Sequence, residues 1–164
     1  MGIVGPGVRN LGEDDVWADR TDTRTTMLNL LGLQDSYIHD GRVLTDVLYN
    51  WAIPQSLRAQ HETLQELGEV YKQLNAPFGQ FAKDTLIAST QAIKSGSATD
   101  DSMYTQVEAA IEQLTTQRAG VAAQMRAMLD GAAFKGQAIN EQQAKKLIQQ
   151  AEKLLDRAEE LIKN

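Results

Sequence analysis

Apolar positions fall into two regimes along this chain. From residue 51 onward they recur at helical spacing over long runs, whereas before it they come as short pieces separated by Gly and Asp. The last run is the most regular. Ala144, Ala151 and Ala158, then Leu147, Leu154 and Leu161, then Ile148, Leu155 and Ile162 each recur every seven residues. Such a stripe has to be buried against a neighbour. Asn140 with Gln143 after it marks the start of this helix as a capping box. Upstream, Val107, Ile111, Leu114, Arg118, Val121, Met125 and Met128 alternate between spacings of four and three. They predict a helix from near Asp101 to about Asp130, a rod of roughly 45 Å at ~1.5 Å per residue. Gly131 and Gly136 turn the chain between the two.

Two further helices precede these. Pro54 suits the first turn of a helix reaching Leu74, with Leu57, Leu64, Leu67, Val70, Tyr71 and Leu74 on its inner side. Asn75-Ala76-Pro77 allows a reversal. The next helix is predicted over Pro77–Lys94, with Phe78, Phe81, Ala82, Leu86 and Ile93 inward, and Ser95–Thr99 as a polar loop. Residues 51–164 are therefore predicted to form an antiparallel bundle of about four helices, the third pairing with the fourth.

The first fifty residues read differently. Gly2–Val8 is predicted as the end of a short strand running into the Gly5-Pro6-Gly7 turn. Asp22 is the predicted N-cap of a helix from Thr23 to Leu31. Gly32 fits the C′ position and Leu33 the C″ position of a Schellman ending, with Leu28 at C3. His39-Asp40-Gly41 is turn chemistry, Arg42-Val43-Leu44 a short extended piece, and Thr45–Leu48 a helical turn.

Composition narrows the function. The chain has 164 residues, 42% of them apolar and 23% charged, a globular composition. Its net charge is −6, with −4 of this in residues 1–50. That argues against nucleic acid or an anionic membrane as partner, since both select clustered Lys and Arg. The absence of cysteine excludes disulfides, thiolate metal sites and Cys nucleophiles. No apolar run approaches the ~20 residues of a membrane span.

Few residues carry candidate chemistry. His39 has Asp35 four residues before it and Asp40 beside it; a metal site there needs one or two further ligands, and a polar turn is the ordinary account. His61, beside the apolar stripe of its helix, lacks convergent partners and reads as a core-edge residue. Asp14, Asp15, Asp19 and Asp22 offer oxygens to a hard cation such as Ca²⁺, but without EF-hand spacing; a solvated loop with one helix cap is the alternative. Arg118 interrupts an apolar stripe and reads either as a grip for an acid or as a stem laid on the core with its head in water. The Gly5-Pro6-Gly7 turn lacks the Lys of a phosphate loop, and no nucleophile-elbow pattern occurs. Spacing assembles no catalytic set, so no residue is assigned as catalytic, cofactor-binding or metal-binding.

One ordered string is more specific. Val4-Gly5-Pro6-Gly7-Val8-Arg9-Asn10-Leu11-Gly12 is followed by Val16-Trp17-Ala18-Asp19-Arg20-Thr21-Asp22-Thr23-Arg24-Thr25-Thr26-Met27-Leu28. Leu31-Gly32-Leu33 and His39-Asp40-Gly41-Arg42-Val43-Leu44 come next. Over these fifty residues the chain resembles the closing part of phosphodiesterase-like members of the alkaline phosphatase superfamily, which include type I phosphodiesterases, nucleotide pyrophosphatases and sulfatase relatives. It departs from that pattern at Arg20, often His or Glu there, and at Thr25, usually Pro.

The resemblance implies a parent enzyme, phosphodiesterase- or phosphatase-like, that hydrolyses phosphoric or sulfuric esters with two divalent metals of the Zn or Mn class. The nucleophile and metal ligands of such an enzyme lie upstream of the Val4–Val8 strand. This chain is therefore expected to be a non-catalytic C-terminal fragment, with Met1 an internal or artificial start and the catalytic part as its natural partner. The expected fold is mainly α. Residues 1–50 would be an incomplete edge of an alkaline-phosphatase-like α/β domain, and residues 51–164 a helical bundle extension. A parallel sheet needs both faces covered, which one or two strands do not provide. The alternative is a stand-alone helical interaction module that self-associates through the bundle. The small acidic cation-binding protein is the third reading.

Overall fold

The computed structural model describes residues 2–95 and 101–163. The protein is mainly helical. Helix α1 is Arg20–Leu30, α2 Gln55–Arg58, α3 His61–Asn75, α4 Gln80–Ser95, α5 Ser102–Phe134 and α6 Glu141–Lys163; short 3-10 turns occupy Thr45–Val47 and Asn50–Ala52. The chain divides into two compact units. One comprises Met1–Glu69 with Met125–Lys145, the other Val70–Gln124 with Lys146–Asn164.

Within the first unit, α1 starts at Arg20, three residues before the helix expected from Thr23 with Asp22 as its cap. Asp19 is the N-cap, and Asp22 occupies N3 of a reciprocal capping box with it. The other end is the Schellman ending the sequence predicts. Leu33 N–H donates to Leu28 at 2.9 Å, Gly32 N–H donates to Asn29 at 3.1 Å, and Gly32 has φ +64°. The face α1 buries is polar: Asp22, Thr25, Thr26 and Asn29. Met27 and Leu31 point outward.

No strand forms among the described residues, so the strand end expected over Gly2–Val8 is absent. A single antiparallel bridge joins Val8 to Leu48, flanked by Arg9 N–H to Val47 and Tyr49 N–H to Gly7, both 2.8 Å. The Arg42 and Leu44 N–H groups instead bond to side chains of α1, which leaves no ladder for 42–44 to join. The helical turn expected from Thr45 is the 3-10 turn there.

The helix expected from Pro54 to Leu74 is broken. Pro54 caps the short α2, and α3 begins only at His61. Its predicted inner residues Leu57, Leu64, Leu67, Tyr71 and Leu74 are buried all the same. At its end α5 passes through Gly131 and continues to Phe134, so Gly131 is helical and Gly136, at φ +64°, makes the turn. Helix α6 begins where Asn140 places it, with Gln143 N–H donating to the Asn140 side chain at 3.0 Å.

Among its described residues the second unit is helical apart from the turn at residues 76–79 and residue 101. Ala151, Leu154 and Ala158 of α6 are buried, and Arg157 donates to Gln117 at 2.7 Å, which sets α6 beside α5. Helix α4 begins at Gln80 and corrects the sequence reading. Phe81 is buried, but Leu86 and Ile93 are exposed and Phe78, in the turn before the helix, is 78% exposed. The buried face runs through Phe81, Asp84, Ala88 and Ala92. At about 100° per residue, Leu86 and Ile93 stand about 120–140° around the helix from Phe81. Small residues allow close approach on the inner face, so size misled the assignment. Most of the Ser95–Thr99 loop falls outside the described residues.

Gly120 sits mid-helix in α5, and an added Cβ would meet nothing within 4 Å. Gly120→Ala is expected to stabilise by about 0.5–1 kcal/mol by lowering the entropy of the unfolded chain. Thermal denaturation should show a melting temperature about 1–4 °C higher.

Candidate functional site

The polar residues of the N-terminal string converge on one buried junction in the first unit. Asp22 is 0% exposed. One carboxylate oxygen accepts the Asp19 N–H at 2.9 Å and the other accepts the Arg42 N–H at 2.8 Å. Thr26 Oγ1 accepts the Leu44 N–H at 3.0 Å. Gly41 lies against the first turn of α1 so closely that an added Cβ would stand 2.7 Å from the Asp22 nitrogen. The Arg42 side chain is buried, its stem lies over Gly68 of α3, and its Nη1 donates to Asp46 at 2.7 Å. Asp46 also accepts from Gln65, and its carbonyl from Arg9. Every one of these groups holds backbone or a neighbouring side chain. The arrangement stitches α1, the Gly41–Leu44 segment and α3 together, and it presents no nucleophile to solvent.

A second polar cluster surrounds His39. The ring is 5% exposed and lies 4.9 Å from the Phe134 ring. Its Nε2 is 3.2 Å from Asp35 and its Nδ1 is 3.7 Å from Asp130. Two carboxylates on opposite edges of one imidazole do not converge on a common point, so the Asp35–His39 metal site considered from sequence does not assemble. Among the described residues no group of three His, Asp or Glu side chains has metal-binding geometry. Arg24 pairs with Asp35 and stacks over Tyr37, and Arg126 pairs with Asp40 at 2.8 Å.

The carboxyls of this cluster are tuned in opposite directions. Burial pushes Asp35 up, but the Tyr37 N–H, Arg24 and His39 together hold it below the usual carboxylate value. Burial pushes Asp130 up, and there it outweighs His39, Arg126, Lys135 and the His39 N–H. A raised acid binds its proton more tightly in the fold than in the unfolded chain. Its contribution to stability is therefore present at low pH and is lost as pH rises through the folded value. Asp130→Asn is expected to match the parent near pH 3 and to melt higher at pH 7, by no more than about 2–4 °C, the equivalent of about 1 kcal/mol. Thermal melts at the two pH values check this.

The remaining candidates stay apart. Asp14 caps its own turn by accepting the Val16 N–H at 2.9 Å, while Asp19 and Asp22 are committed to α1 and Asp15 is exposed. The four acids therefore form no common cation site. Arg20 is exposed on the first turn of α1. His61 is half-buried at the start of α3, and its Nε2 has no hydrogen-bond partner. In the second unit Arg118 lays its guanidinium 5.3 Å from the centre of the Phe81 ring, a stem-on-core placement with a cation–π contact.

Sequence reasoning missed the roles of Arg42, Asp46 and Asp130. The Arg42–Asp46 spacing of four was a usable signal. Asp130 had none, since its partner His39 is distant in sequence. No helix of the described residues is long and apolar enough to cross a membrane. No family model matches the chain, and neither the curated proteins nor the solved structures contain a match to it.

Proposed function

We propose that this chain is the non-catalytic C-terminal portion of a metal-dependent phosphodiesterase- or phosphatase-like hydrolase of the alkaline phosphatase superfamily. Its role is to brace the edge of the catalytic α/β domain. The observation that carries this reading is the convergence of Asp19, Asp22, Thr26, Gly41, Arg42 and Leu44, all from one ordered string, on a single buried junction. Their order along the chain then has a mechanical reason: each fixes another.

The outward side of the same unit supports it. Helix α1 turns its polar face inward and leaves Met27 and Leu31 exposed, with Leu33, Tyr37, Ile38 and Trp51 also exposed nearby in sequence. The 2–18 segment, which has neither helix nor strand, leaves Val4 98% exposed and borders an open groove together with Leu44 and Val47. A catalytic domain packed there would cover these exposed apolar side chains. The two metals, of Zn or Mn class, belong to that domain, as do the nucleophile and ligands.

The gene supplies the test. An in-frame extension before codon 1 encoding a Thr or Ser nucleophile region and Asp/His ligand pairs supports the proposal. A stop codon and ribosome-binding site directly before Met1 contradict it. With a chromogenic phosphodiester and Zn²⁺ or Mn²⁺, this chain alone is expected to give no turnover above buffer; saturable turnover would overturn the reading.

The exposed Leu86, Ile87 and Ile93 of α4 favour a second reading, a helical interaction module that self-associates. The α6 stripe does not supply that surface, since Ala144, Leu147, Ile148, Ala151, Leu154 and Ala158 are buried within the chain. Sedimentation of the whole chain separates the readings: a dimer that survives dilution and is broken by Leu86→Glu favours the module, and a monomer removes it.

A further inference from the structure

Two neighbouring helices of the second unit divide their exposed charge by sign. Arg118 of α5 lies over the Phe81 ring of α4, which sets the two helices side by side. The exposed charges of α4 are Lys83 and Lys94, and its one acid, Asp84, is buried. From the start of α5 to Gln124 the exposed charges are Asp101, Glu108 and Glu112. None of these five exposed residues forms an ion pair among the described residues. The two sets share a spacing. Lys83 and Lys94 are eleven residues apart, and so are Asp101 and Glu112. Eleven residues make about three helical turns, roughly 16 Å, and return to nearly the same side of a helix. Between its lysines α4 exposes Leu86, Ile87, Thr90 and Ile93, all within about 120° of arc with them. On α5 an open groove runs along Ala109, Glu112, Gln113, Thr116 and Gln117.

We propose that the outer face of α4 docks on the first half of α5 in a second copy of this chain, with Lys83 and Lys94 each meeting one acid of the Asp101 and Glu112 set. This pairing rests on the self-association reading and names the surfaces that meet. The shared spacing lets both lysines find an acid at once, whichever way the two helices run. Burial of Leu86, Ile87 and Ile93 supplies the attraction. Exposed ion pairs are individually weak, and their part is to choose the partner surface. They choose against α4 on α4, where the same stripe meeting itself sets lysines among lysines. Made reciprocally, α4 to α5 and α5 to α4, the contact closes as a dimer.

Sedimentation equilibrium of the whole chain and two charge-reversed variants tests this. Lys83→Glu with Lys94→Glu turns the α4 face acidic, and Asp101→Lys with Glu112→Lys turns the α5 face basic. Each variant alone is expected to self-associate at least about tenfold more weakly than the parent. An equimolar mixture of the two is expected to recover the parental affinity, because each α4 then meets an α5 of opposite charge. Circular dichroism checks that both variants fold; if Asp101→Lys upsets the start of α5, Glu112→Lys alone takes its place. A parent that stays monomeric at every concentration removes the self-association reading and this pairing with it. A parental dimer that Lys83→Glu with Lys94→Glu leaves unchanged or strengthens overturns the α4-to-α5 pairing alone, since that is the outcome for α4 on α4 or for a contact elsewhere. Variants that weaken but do not recover on mixing overturn it as well.

Discussion

Gly41→Ala is expected to cost about 3 kcal/mol and to lower the melting temperature by about 6–12 °C. The cause is steric and not conformational, because Gly41 does not have a positive φ. A Cβ there would press into the Thr21 carbonyl and stand 2.7 Å from the Asp22 nitrogen. Both are backbone atoms in the first turn of a capped helix, so no side chain can swing away. The only relief is to move the Gly41–Leu44 segment off α1, which breaks the Arg42 and Leu44 bonds to Asp22 and Thr26. Urea unfolding should show a lower midpoint with an unchanged slope, the signature of lost stability without a changed unfolded state. The opposite sign predicted for Gly120→Ala makes the pair a test of packing against glycine entropy. If Gly41→Ala melted with the parent, the close approach of the two segments would be wrong.

Asp22→Ala is expected to be comparably severe, costing about 2–4 kcal/mol. It removes the acceptor for two N–H groups, and the Arg42 one is buried, so the loss carries a desolvation penalty as well as the missing bonds. It also dismantles the capping box of α1 and removes an acid from the positive end of that helix. Asp22→Asn keeps the shape and one acceptor oxygen, so it should fall between the two. A cation site at the N-terminal acids predicts something else: Asp22→Ala would abolish a Ca²⁺ heat signal while leaving the apo melting temperature in place. Calorimetric melts with and without millimolar Ca²⁺ separate these outcomes.

Much of the helical architecture is legible in the sequence because its determinants are local. The Asn140 start of α6, the Gly32 ending of α1 and the sevenfold stripe of α6 each rest on residues within a turn or two of one another. What escaped was set by distant partners. Asp22 reads as an N-cap, but the capping pair is settled by Asp19 three residues earlier, and Arg42 is what keeps Asp22 buried. The inner face of α4 went to Ala88 and Ala92 and not to Leu86 and Ile93, because close helix contact rewards small residues. Extended backbone at Arg42–Leu44 was expected to reach a strand neighbour, and its N–H groups found side chains of α1 instead. The candidate site followed the same rule. The residues of the string were visible, but that they hold one another and not a substrate depends on contacts across about twenty residues of chain.

Native-state hydrogen exchange at the Arg42 and Leu44 amides tests the buried junction most directly. Neither residue lies in a helix or strand, so a loop-like segment would exchange within seconds under mild alkaline conditions. Bonded to Asp22 and Thr26 and shielded from water, both amides are predicted to exchange only through global unfolding, with the same free energy as the slowest amides of α3. Rapid exchange at either amide in otherwise folded protein would contradict the account that this string of residues exists to lock the segment to α1.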